Sequence, residues 1–545
     1  MRPPPPISPA LTAGQLARFR AYGTPESISS GQRLFGPGDV SYDLMLIDEG
    51  EAAVSVPGSH GAPEEVIVRV GPDEFLGELS LLTGQSPILI ARVTQSGRAH
   101  RVGADALRRL MAEEPELSDI VLRALLARRT MFRGSAARRA ITIVGHEQDR
   151  ESLALRTYGA RLALIHDWLD ADAPTAAALI RAAGLRAADL PAVILPNAVL
   201  SRASPGDLAH ALGLTVDAGT TAVVDLVVIG AGPAGLAAAV YGASEGLATV
   251  VVDRTGPGGQ AAASSRIENY LGFPSGLSGA DLTGRAAVQA LKFGAQLSSP
   301  CDVAELGVDG EHLRIGLTND AAIAARAAIV ATGARYRTLA LEGWDDYLGS
   351  GIYYAATEIE ARACAEAPVV VVGGANSAGQ AALFLASRDC EVTLAIRGAD
   401  VGKSMSAYLV DRVLADPRIE VRLRTEVTGL EGDEVLRAVT LNGREPCACE
   451  ALFCFIGAAP ETAWLSCLAA DADGFLRTDA QLEPDDLGPG WELLGRRPLP
   501  FECSVPGVFA AGDVRSGSLK RVAAAVGEGA SAVRSVHAAI GASRS

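Results

Sequence analysis

Three features are missing from this 545-residue chain, and each absence excludes a class of protein. No Cys-x-x-Cys pair occurs among the eight cysteines, whose spacing fits neither a disulfide framework nor a zinc site. We therefore expect reduced thiols in a cytoplasmic protein that binds no metal. Basic residues are fewer than acidic ones, and the net charge is −16. This charge argues against a nucleic-acid partner. The amino terminus lacks the apolar segment of a secretory signal, and Pro233 with its neighbouring glycines argues against a membrane span after Ala222.

The length exceeds what one hydrophobic core supports, so we expect a multidomain chain of two to four domains. Short strands punctuated by glycine and proline predict a β-roll over residues 11–135, with a hairpin turn at Gly50. Strands alternate with helices over residues 140–214, which predicts a small α/β domain with buried strands at 141–144 and 162–165 and a further strand at 190–195. Residues 222–545 form a long α/β region that carries two glycine-rich signatures.

The first signature places Gly230, Gly232 and Gly235 between an apolar strand and an Ala-rich helix. Glycines at this spacing let the backbone approach a pyrophosphate, which then sits on the helix N-terminus. Asp253 ends the next predicted strand, where a carboxylate can bind the ribose hydroxyls of a dinucleotide. The alternative is an ordinary strand–turn–helix unit with a solvated aspartate.

The second signature follows an apolar Val-rich run and repeats the same order of strand, glycines and helix. It contains Gly373, Gly374 and Gly379, with Asn376 and Ser377 between them. A purely structural turn is the alternative, because Ala375 stands where a glycine is common. Two dinucleotide sites in one chain predict two cofactors that meet.

Further segments complete a family resemblance. The runs 258–260, 267–274, 331–333 and 507–513, together with the first signature, resemble the FAD-binding set of the low-molecular-weight thioredoxin reductases. The resemblance covers essentially all of residues 222–545. It implies two interleaved Rossmann-like domains, with FAD bound by residues 222–340 and 463–545 and NAD(P)H bound by residues 341–462. The implied FAD contacts are Gly230, Gly232, Gly235, Asp253, Gly259, Gln260, Asn269, Gly333, Gly512, Asp513, Arg521, Val522 and Ala523.

The same resemblance assigns roles at the two cofactor sites. Asp513 would hold the ribitol of FAD, and the helix after Lys520 would direct its N-terminus at the flavin ring. Family members commonly carry Arg-Gln-Ala there, whereas this chain has Val522 at the middle position. The family binds the 2′-phosphate of NADPH with a His-Arg-Arg run, of which this chain keeps Arg397. Lys403 adds a second positive charge. We therefore expect NADPH as the nucleotide, with NADH as the alternative. The implied nicotinamide-nucleotide contacts are Gly373, Gly374, Asn376, Ser377, Gly379 and Arg397.

The chain departs from thioredoxin reductases at their redox-active cysteine pair. The two cysteine positions are occupied by Ala355 and Glu358, and Ile359 stands at the neighbouring acid. Neither residue can exchange a disulfide, so we expect no catalytic side chain and no disulfide reductase activity of the chain's own. The electron acceptor would be a quinone, a small redox protein, oxygen, or a disulfide brought by a partner, as in relatives such as ferredoxin–NADP reductases. A slowly turning-over redox or nucleotide sensor is the alternative, and family members of this type form homodimers.

The amino-terminal part carries two further resemblances. The run 77–87 resembles the phosphate-binding cassette of cyclic-nucleotide-binding domains, in which Glu78 would take the ribose hydroxyl. Ile88 stands where that family has the phosphate-binding arginine, and Arg92 is the nearest substitute, so we expect the fold without cyclic-nucleotide binding. Residues 140–214 resemble a thioredoxin or glutaredoxin fold without its cysteines, with Pro191 as the expected cis-proline. This domain is expected to serve in docking or as a structural unit.

Overall fold

The computed structural model describes residues 7–58, 64–147, 149–215, 223–264, 267, 269–347, 350–354, 356, 361, 364 and 366–542. The chain forms four successive α/β or β units, of which the third is completed by the carboxy-terminal segment. No helix among the described residues combines the length and the apolar character needed to cross a bilayer.

An antiparallel roll comes first, with strand order β1-β6-β3-β4, while β2 pairs with β6 and β5 pairs with β3. Both faces of the central strand are buried: Met45 and Ile47 lie in one hydrophobic core, and Leu44 and Leu46 lie in another that includes the helices after the last strand. Its elements are α1 (Ala13–Arg20), β1 (Thr24–Ile28), β2 (Arg33–Phe35), β3 (Leu44–Val56), β4 (Glu65–Val70), β5 (Phe75–Leu76), α2 (Ser80–Thr83), β6 (Ile90–Val102), α3 (Ala104–Glu113) and α4 (Pro115–Arg133).

The hairpin expected at Gly50 is wrong, because β3 is one continuous strand that passes through this position. Gly50 has φ 92°, and the register between β3 and β6 shifts on both sides of it. A Cβ at Gly50 would press against the backbone at Gln95 and Ser96 on the facing strand. The glycine therefore serves a β-bulge, which needs the same left-handed conformation as a tight turn.

The second unit is a four-stranded sheet of order β10-β9-β7-β8, in which β7 and β8 are parallel and β9 is antiparallel to β7. One helix lies between the two parallel strands, a second follows them, and a third follows the hairpin, which is the element order expected of the thioredoxin type of fold. The Leu190–Pro191 peptide bond is cis, which confirms the expectation for Pro191. The elements are β7 (Thr142–Gly145), α5 (Arg150–Arg161), β8 (Asp167–Asp170), α6 (Ala176–Ala182), β9 (Ala192–Ile194), β10 (Val199–Leu200) and α7 (Pro205–Ala211).

The strand predicted at 162–165 is wrong, since α5 continues to Arg161 and β8 begins only at Asp167. The chain turns at Ala163, whose φ is 49°. Leu164 and Ile165 are buried in a hydrophobic core that the second unit shares with the roll. The apolar run thus indicated burial, and it did not indicate extended backbone.

The third unit is a sheet of order β13-β12-β11-β16-β15-β14, and β27 pairs with the C-terminal part of β16. Strands β11, β12, β13, β16 and β27 are mutually parallel where they pair, so their carboxyl ends meet at one edge. Its elements are β11 (Val224–Ile229), α8 (Pro233–Ser244), β12 (Thr249–Val252), α9 (Gly279–Lys292), β13 (Gln296–Ser298), β14 (Val303–Asp309), β15 (His312–Leu317), β16 (Ala322–Val330), β27 (Val508–Ala510) and α13 (Val522–Ala542).

The fourth unit is inserted into the third and is reached through a two-stranded ladder, β17 (Ala334–Tyr336) with β26 (Ala458–Pro460). Its parallel sheet has the order β18-β25-β19-β20-β21, and a three-stranded antiparallel sheet accompanies it. The short helix α12 (Pro489–Leu494) lies in the return segment. The other elements are β18 (Ile352–Tyr353), β19 (Pro368–Val372), α10 (Asn376–Ala386), β20 (Glu391–Ile396), α11 (Ala407–Ala415), β21 (Ile419–Leu423), β22 (Val427–Gly432), β23 (Leu436–Leu441), β24 (Cys447–Ala448) and β25 (Ala451–Cys454).

Candidate functional site

The first glycine signature forms the turn between β11 and α8. A Cβ at Gly235 would overlap the carbonyl oxygen of Gly230, so only glycine allows this helix to begin so close to the strand. Gly232 is the N-cap of α8, and no side chain caps the helix. The first-turn N–H groups and the positive end of the helix dipole are therefore available to an anion.

Asp253 lies at the end of β12 and joins the two loops at this edge of the sheet. One carboxylate oxygen accepts from the backbone N–H of Ala231 at 2.7 Å. The other accepts from the N–H groups of Thr255 at 2.8 Å and Gly256 at 2.7 Å. A carboxylate has about four acceptor positions, so Asp253 organises this loop and still retains capacity for a ribose hydroxyl.

The next predicted residues surround the same helix end. Gly259 approaches Gly232 so closely that a Cβ added to Gly259 would lie 2.8 Å from the Cα of Gly232. Gln260 donates through its side-chain amide to the carbonyl of Ala334, just after Gly333. Asn269 is exposed, and no hydrogen bond among the described residues joins it to the others.

The carboxy-terminal residues close the site from the other side. Burial raises the pKa of the half-buried Asp513 carboxyl above its ordinary value, an effect that the Lys520 ammonium opposes. The N–H of Gly512 donates to Glu528 at 2.8 Å, and Glu528 also forms a bidentate pair with Arg515. Sequence reasoning missed Glu528, although it is the sole carboxylate in the apolar helix α13.

Helix α13 begins at Val522, directly beyond the exposed Arg521, and Ala523 is exposed in its first turn. The helix packs against α8 through Gly529, where a Cβ would overlap the carbonyl oxygen of Ala234. The N-terminal halves of both helices are thereby brought close together at the edge where the parallel strands end. This edge is the usual place for a ligand in an open α/β sheet.

The second glycine signature forms the equivalent turn between β19 and α10. Gly373 has φ 143°, and α10 begins at Asn376 without a side-chain cap. The side-chain oxygen of Asn376 accepts from the N–H of Ser406 at 2.7 Å, which is a structural use of a predicted ligand residue. Gly379 packs against the side chain of Met405, and Ser377 is exposed.

Two cations lie beyond the end of β20 in this unit. Arg397 and Lys403 are both exposed, and neither forms an ion pair with any residue that the structure describes. Gly374 lies against the side chain of Ile396, next to Arg397 in the chain. The loop therefore presents unpaired positive charge beside the second glycine turn.

None of the eight cysteines, all of which lie in the described part of the chain, forms a disulfide. Burial raises the pKa of the Cys301 and Cys454 thiols to about 11 and that of Cys449 to about 12. Thiols of this kind are almost entirely protonated at neutral pH and react slowly. The predicted replacements for the missing cysteine pair, at 355, 358 and 359, lie outside the described residues.

The roll encloses a cavity of about 40 Å³ beside the cassette segment. Glu78 lines it, accepts from the N–H of Ser80 at 2.9 Å, and is held in a bidentate pair by the buried Arg129. Ile88 is buried in the wall. Arg92 is instead paired with Glu64 on the surface, so it does not replace the missing phosphate ligand. The carboxylate that would bind a ribose is therefore already satisfied within the protein.

Comparisons with known proteins agree with this geometry. Residues 25–114 match the cyclic nucleotide-binding domain, and residues 224–529 match the pyridine nucleotide-disulphide oxidoreductase family. Thioredoxin reductase of Treponema pallidum (strain Nichols) is 32% identical over 311 residues, which are 56% of this chain and 94% of that protein. Thioredoxin reductase of Listeria innocua is 31% identical over 314 residues, covering 56% of this chain and 91% of the relative.

Solved structures show the same relationship. The crystal structure of T. acidophilum thioredoxin reductase superposes with a TM-score of 0.51 at 27% identity, covering 58% of this chain and 98% of that one. Lactococcus lactis thioredoxin reductase gives a TM-score of 0.50 at 26% identity, covering 58% and 99% respectively. The family match spans more than half of the sequence. The chain therefore belongs to the pyridine nucleotide-disulphide oxidoreductase family, as a thioredoxin reductase-like, NAD(P)H-dependent flavoprotein oxidoreductase with an added cyclic nucleotide-binding domain.

Proposed function

We propose that FAD binds at the edge formed by β11, β12, β16 and β27, and that NADPH binds at the turn between β19 and α10. The observation that carries the proposal is the pair of glycine turns, each of which precedes an uncapped helix N-terminus at the carboxyl end of a parallel sheet. When bound, FAD supplies hydride acceptance from the nicotinamide and electron delivery to an acceptor.

The residues of this chain bind and orient the two groups. The first turn of α8 receives the pyrophosphate, Asp253 the adenosine ribose, and Asp513 the ribitol. The ion pair of Arg515 with Glu528 fixes the N–H of Gly512 and so the backbone that leads into Asp513. The dipole of α13 favours negative charge on the ring of the reduced group.

We further propose that electrons leave without an internal disulfide. The chain has no Cys-x-x-Cys, none of its eight cysteines forms a disulfide, and burial raises the pKa of six of the thiols. The acceptor is then a small redox protein, a quinone, oxygen, or a disulfide that a partner brings. A homodimeric state and a cytoplasmic location are part of the same proposal.

Anaerobic mixing with NADPH tests this function directly. We expect rapid bleaching of the flavin absorbance and steady turnover with ferricyanide or a quinone as artificial acceptor. With thioredoxin as the sole acceptor, we expect NADPH oxidation by the enzyme no faster than without thioredoxin, because no dithiol relays the electrons. Alkylation of the accessible thiols serves as a control and is expected to leave ferricyanide turnover unchanged. NADPH-driven thioredoxin turnover by this chain alone would contradict the proposed acceptor route.

The preference for NADPH is proposed to depend on Arg397. A guanidinium pairs well with the 2′-phosphate that NADH lacks, and Arg397 has no carboxylate partner among the described residues to compete for it. Arg397→Gln is expected to raise KM for NADPH by about tenfold, the size of one charge-assisted contact. KM for NADH should stay unchanged.

Steady-state kinetics with both nucleotides measure this effect. Arg444→Gln is the matched control, since Arg444 is an exposed arginine elsewhere in the same unit. An equal change in KM for NADPH and NADH would refute a role for Arg397 in phosphate recognition.

A regulatory role is the second candidate, and one observation favours it. The amino-terminal half contacts the loop that follows Asp253 through Arg161 of helix α5, and it contacts the carbonyl of Ser299 after β13 through Tyr158. Slow reduction by NADPH, combined with a large change in the binding of a partner protein, would favour a sensor over an enzyme.

A further inference from the structure

Helix α5 of the thioredoxin-like unit reaches the proposed flavin site from outside. The guanidinium of Arg161 donates to the carbonyl of Gly256 at 3.3 Å and to that of Gly259 at 3.5 Å. The Cβ of Arg161 also lies against Gly256, because a Cβ added to this glycine would be 3.4 Å from it. Both carbonyls belong to the loop between Asp253 and Gln260.

Tyr158 of the same helix makes a second contact, one turn earlier. Its hydroxyl is buried and donates to the carbonyl of Ser299 at 2.7 Å. The preceding carbonyl, that of Ser298, accepts from the N–H of Asp253 at 3.1 Å. The helix therefore holds the backbone on both sides of the carboxylate that organises the loop.

The roll holds the C-terminal end of α5. The chain turns at Ala163, two residues after Arg161, and the carbonyl of Ala163 accepts from Arg129 at 3.0 Å. Arg129 is in turn the bidentate partner of Glu78 in the cavity wall. Both side chains of this ion pair are nearly inaccessible to solvent, at 5% and 11% exposure. Ile165 lines the same cavity and follows the turn directly.

We propose that α5 is a positioning element of the flavin site. Tyr158 and Arg161 hold the loop between Asp253 and Gln260 in the conformation that binds FAD, and Arg129 couples this hold to Glu78 in the roll. The amino-terminal half then acts as a clamp whose state sets the affinity for FAD. This inference rests on the proposed FAD site.

The buried ion pair of Glu78 with Arg129 couples the roll to the turn after α5. A guanidinium that bonds Glu78 through two nitrogens and Ala163 through the third cannot rotate without breaking one of these contacts. Loss of the Glu78 charge therefore releases the turn after α5, and with it the register of Arg161 on the loop carbonyls. Energetic coupling of this type appears as non-additivity between distant substitutions.

Arg161→Ala tests the local part of the proposal. Loss of two charge-assisted hydrogen bonds is expected to raise the dissociation constant for FAD by about tenfold. With FAD saturating, kcat and KM for NADPH should change by less than about twofold, because this loop belongs to the edge proposed for FAD and not to the turn proposed for NADPH. Arg161→Lys should recover part of the affinity, and Tyr158→Phe should weaken FAD binding by about threefold. Arg150→Ala is the control, because Arg150 is an exposed arginine at the start of the same helix.

Glu78→Gln tests the coupling to the roll. Alone it is expected to weaken FAD binding by about threefold, and in the Arg161→Ala background it should add no further change. Arg129→Lys, which keeps the charge but loses the fork of donors, provides a second route if the Glu78→Gln variant does not fold. Full additivity with Arg161→Ala, or unchanged FAD affinity in Arg161→Ala, would overturn the inference. Wild-type protein that takes up no FAD would instead contradict the proposed function itself.

Discussion

Replacing Gly529 by alanine is expected to weaken FAD binding by about 100-fold, so that the protein purifies largely without its cofactor. The added methyl group would overlap the carbonyl oxygen of Ala234, a backbone atom in the first turn of α8 that cannot move alone. Forcing a methyl group into such a contact costs about 2–3 kcal/mol. Helix α13 must separate from α8, which displaces Glu528 and the Gly512 backbone that it holds.

The ratio of flavin to protein absorbance and a titration with FAD measure the outcome. Gly527→Ala is the matched control in the same helix, because a Cβ at Gly527 meets no atom within 4 Å. That control is expected to keep its FAD and to gain about 0.5–1 kcal/mol of helix stability. Equal FAD content in the two variants would show that close packing of α8 and α13 is not required for the site.

Replacing Glu502 by alanine is expected to lower the free energy of unfolding by about 3 kcal/mol, because a fully buried carboxylate is removed from a partly buried cation and from two backbone donors. Glu502 has 0% exposure and uses both carboxylate oxygens fully. It accepts from Arg496 at 2.6 and 2.9 Å, from the N–H of Leu499 at 2.7 Å and from that of Gly507 at 2.9 Å. The substitution leaves a cation and two backbone donors without partners, just ahead of β27.

Urea denaturation followed by circular dichroism and by flavin release gives this difference. Glu492→Ala is the control, since Glu492 is an exposed glutamate in α12, close in the chain to the buried one. We expect it to change stability by less than about 0.5 kcal/mol. A similarly small effect for Glu502→Ala would mean that the segment before β27 folds without its ion pair.

Much of the fold could be predicted from the sequence, because its strongest signals are local. Glycine spacing after an apolar strand indicated both dinucleotide turns, and the cassette from Gly77 to Pro87 indicated the roll. The errors at Gly50 and at 162–165 have a common physical cause. A left-handed glycine suits a bulge as well as a hairpin, and a short apolar run is buried equally well in a loop as in a strand.

The contacts that connect the units could not be predicted in this way. Glu78 and Arg129 are 51 positions apart, and Tyr158 and Ser299 are 141 positions apart, so no local pattern relates them. Arg129 and Arg161 resemble the many other arginines on the helices of this chain until their burial and partners are known. The predicted cofactor contacts are themselves still predictions, although most of them lie on loops at the same two sheet edges.

The position of β27 late in the chain determines when the proposed FAD site can form during synthesis. Strand β16 pairs with residues 508–510, which the ribosome adds only after the whole inserted unit has been made. Helix α13, which completes the proposed FAD edge, follows still later and extends to Ala542. The proposed FAD edge is therefore complete only once residues 508–542 have been synthesised, and a chain terminated before β27 is expected to lack bound FAD.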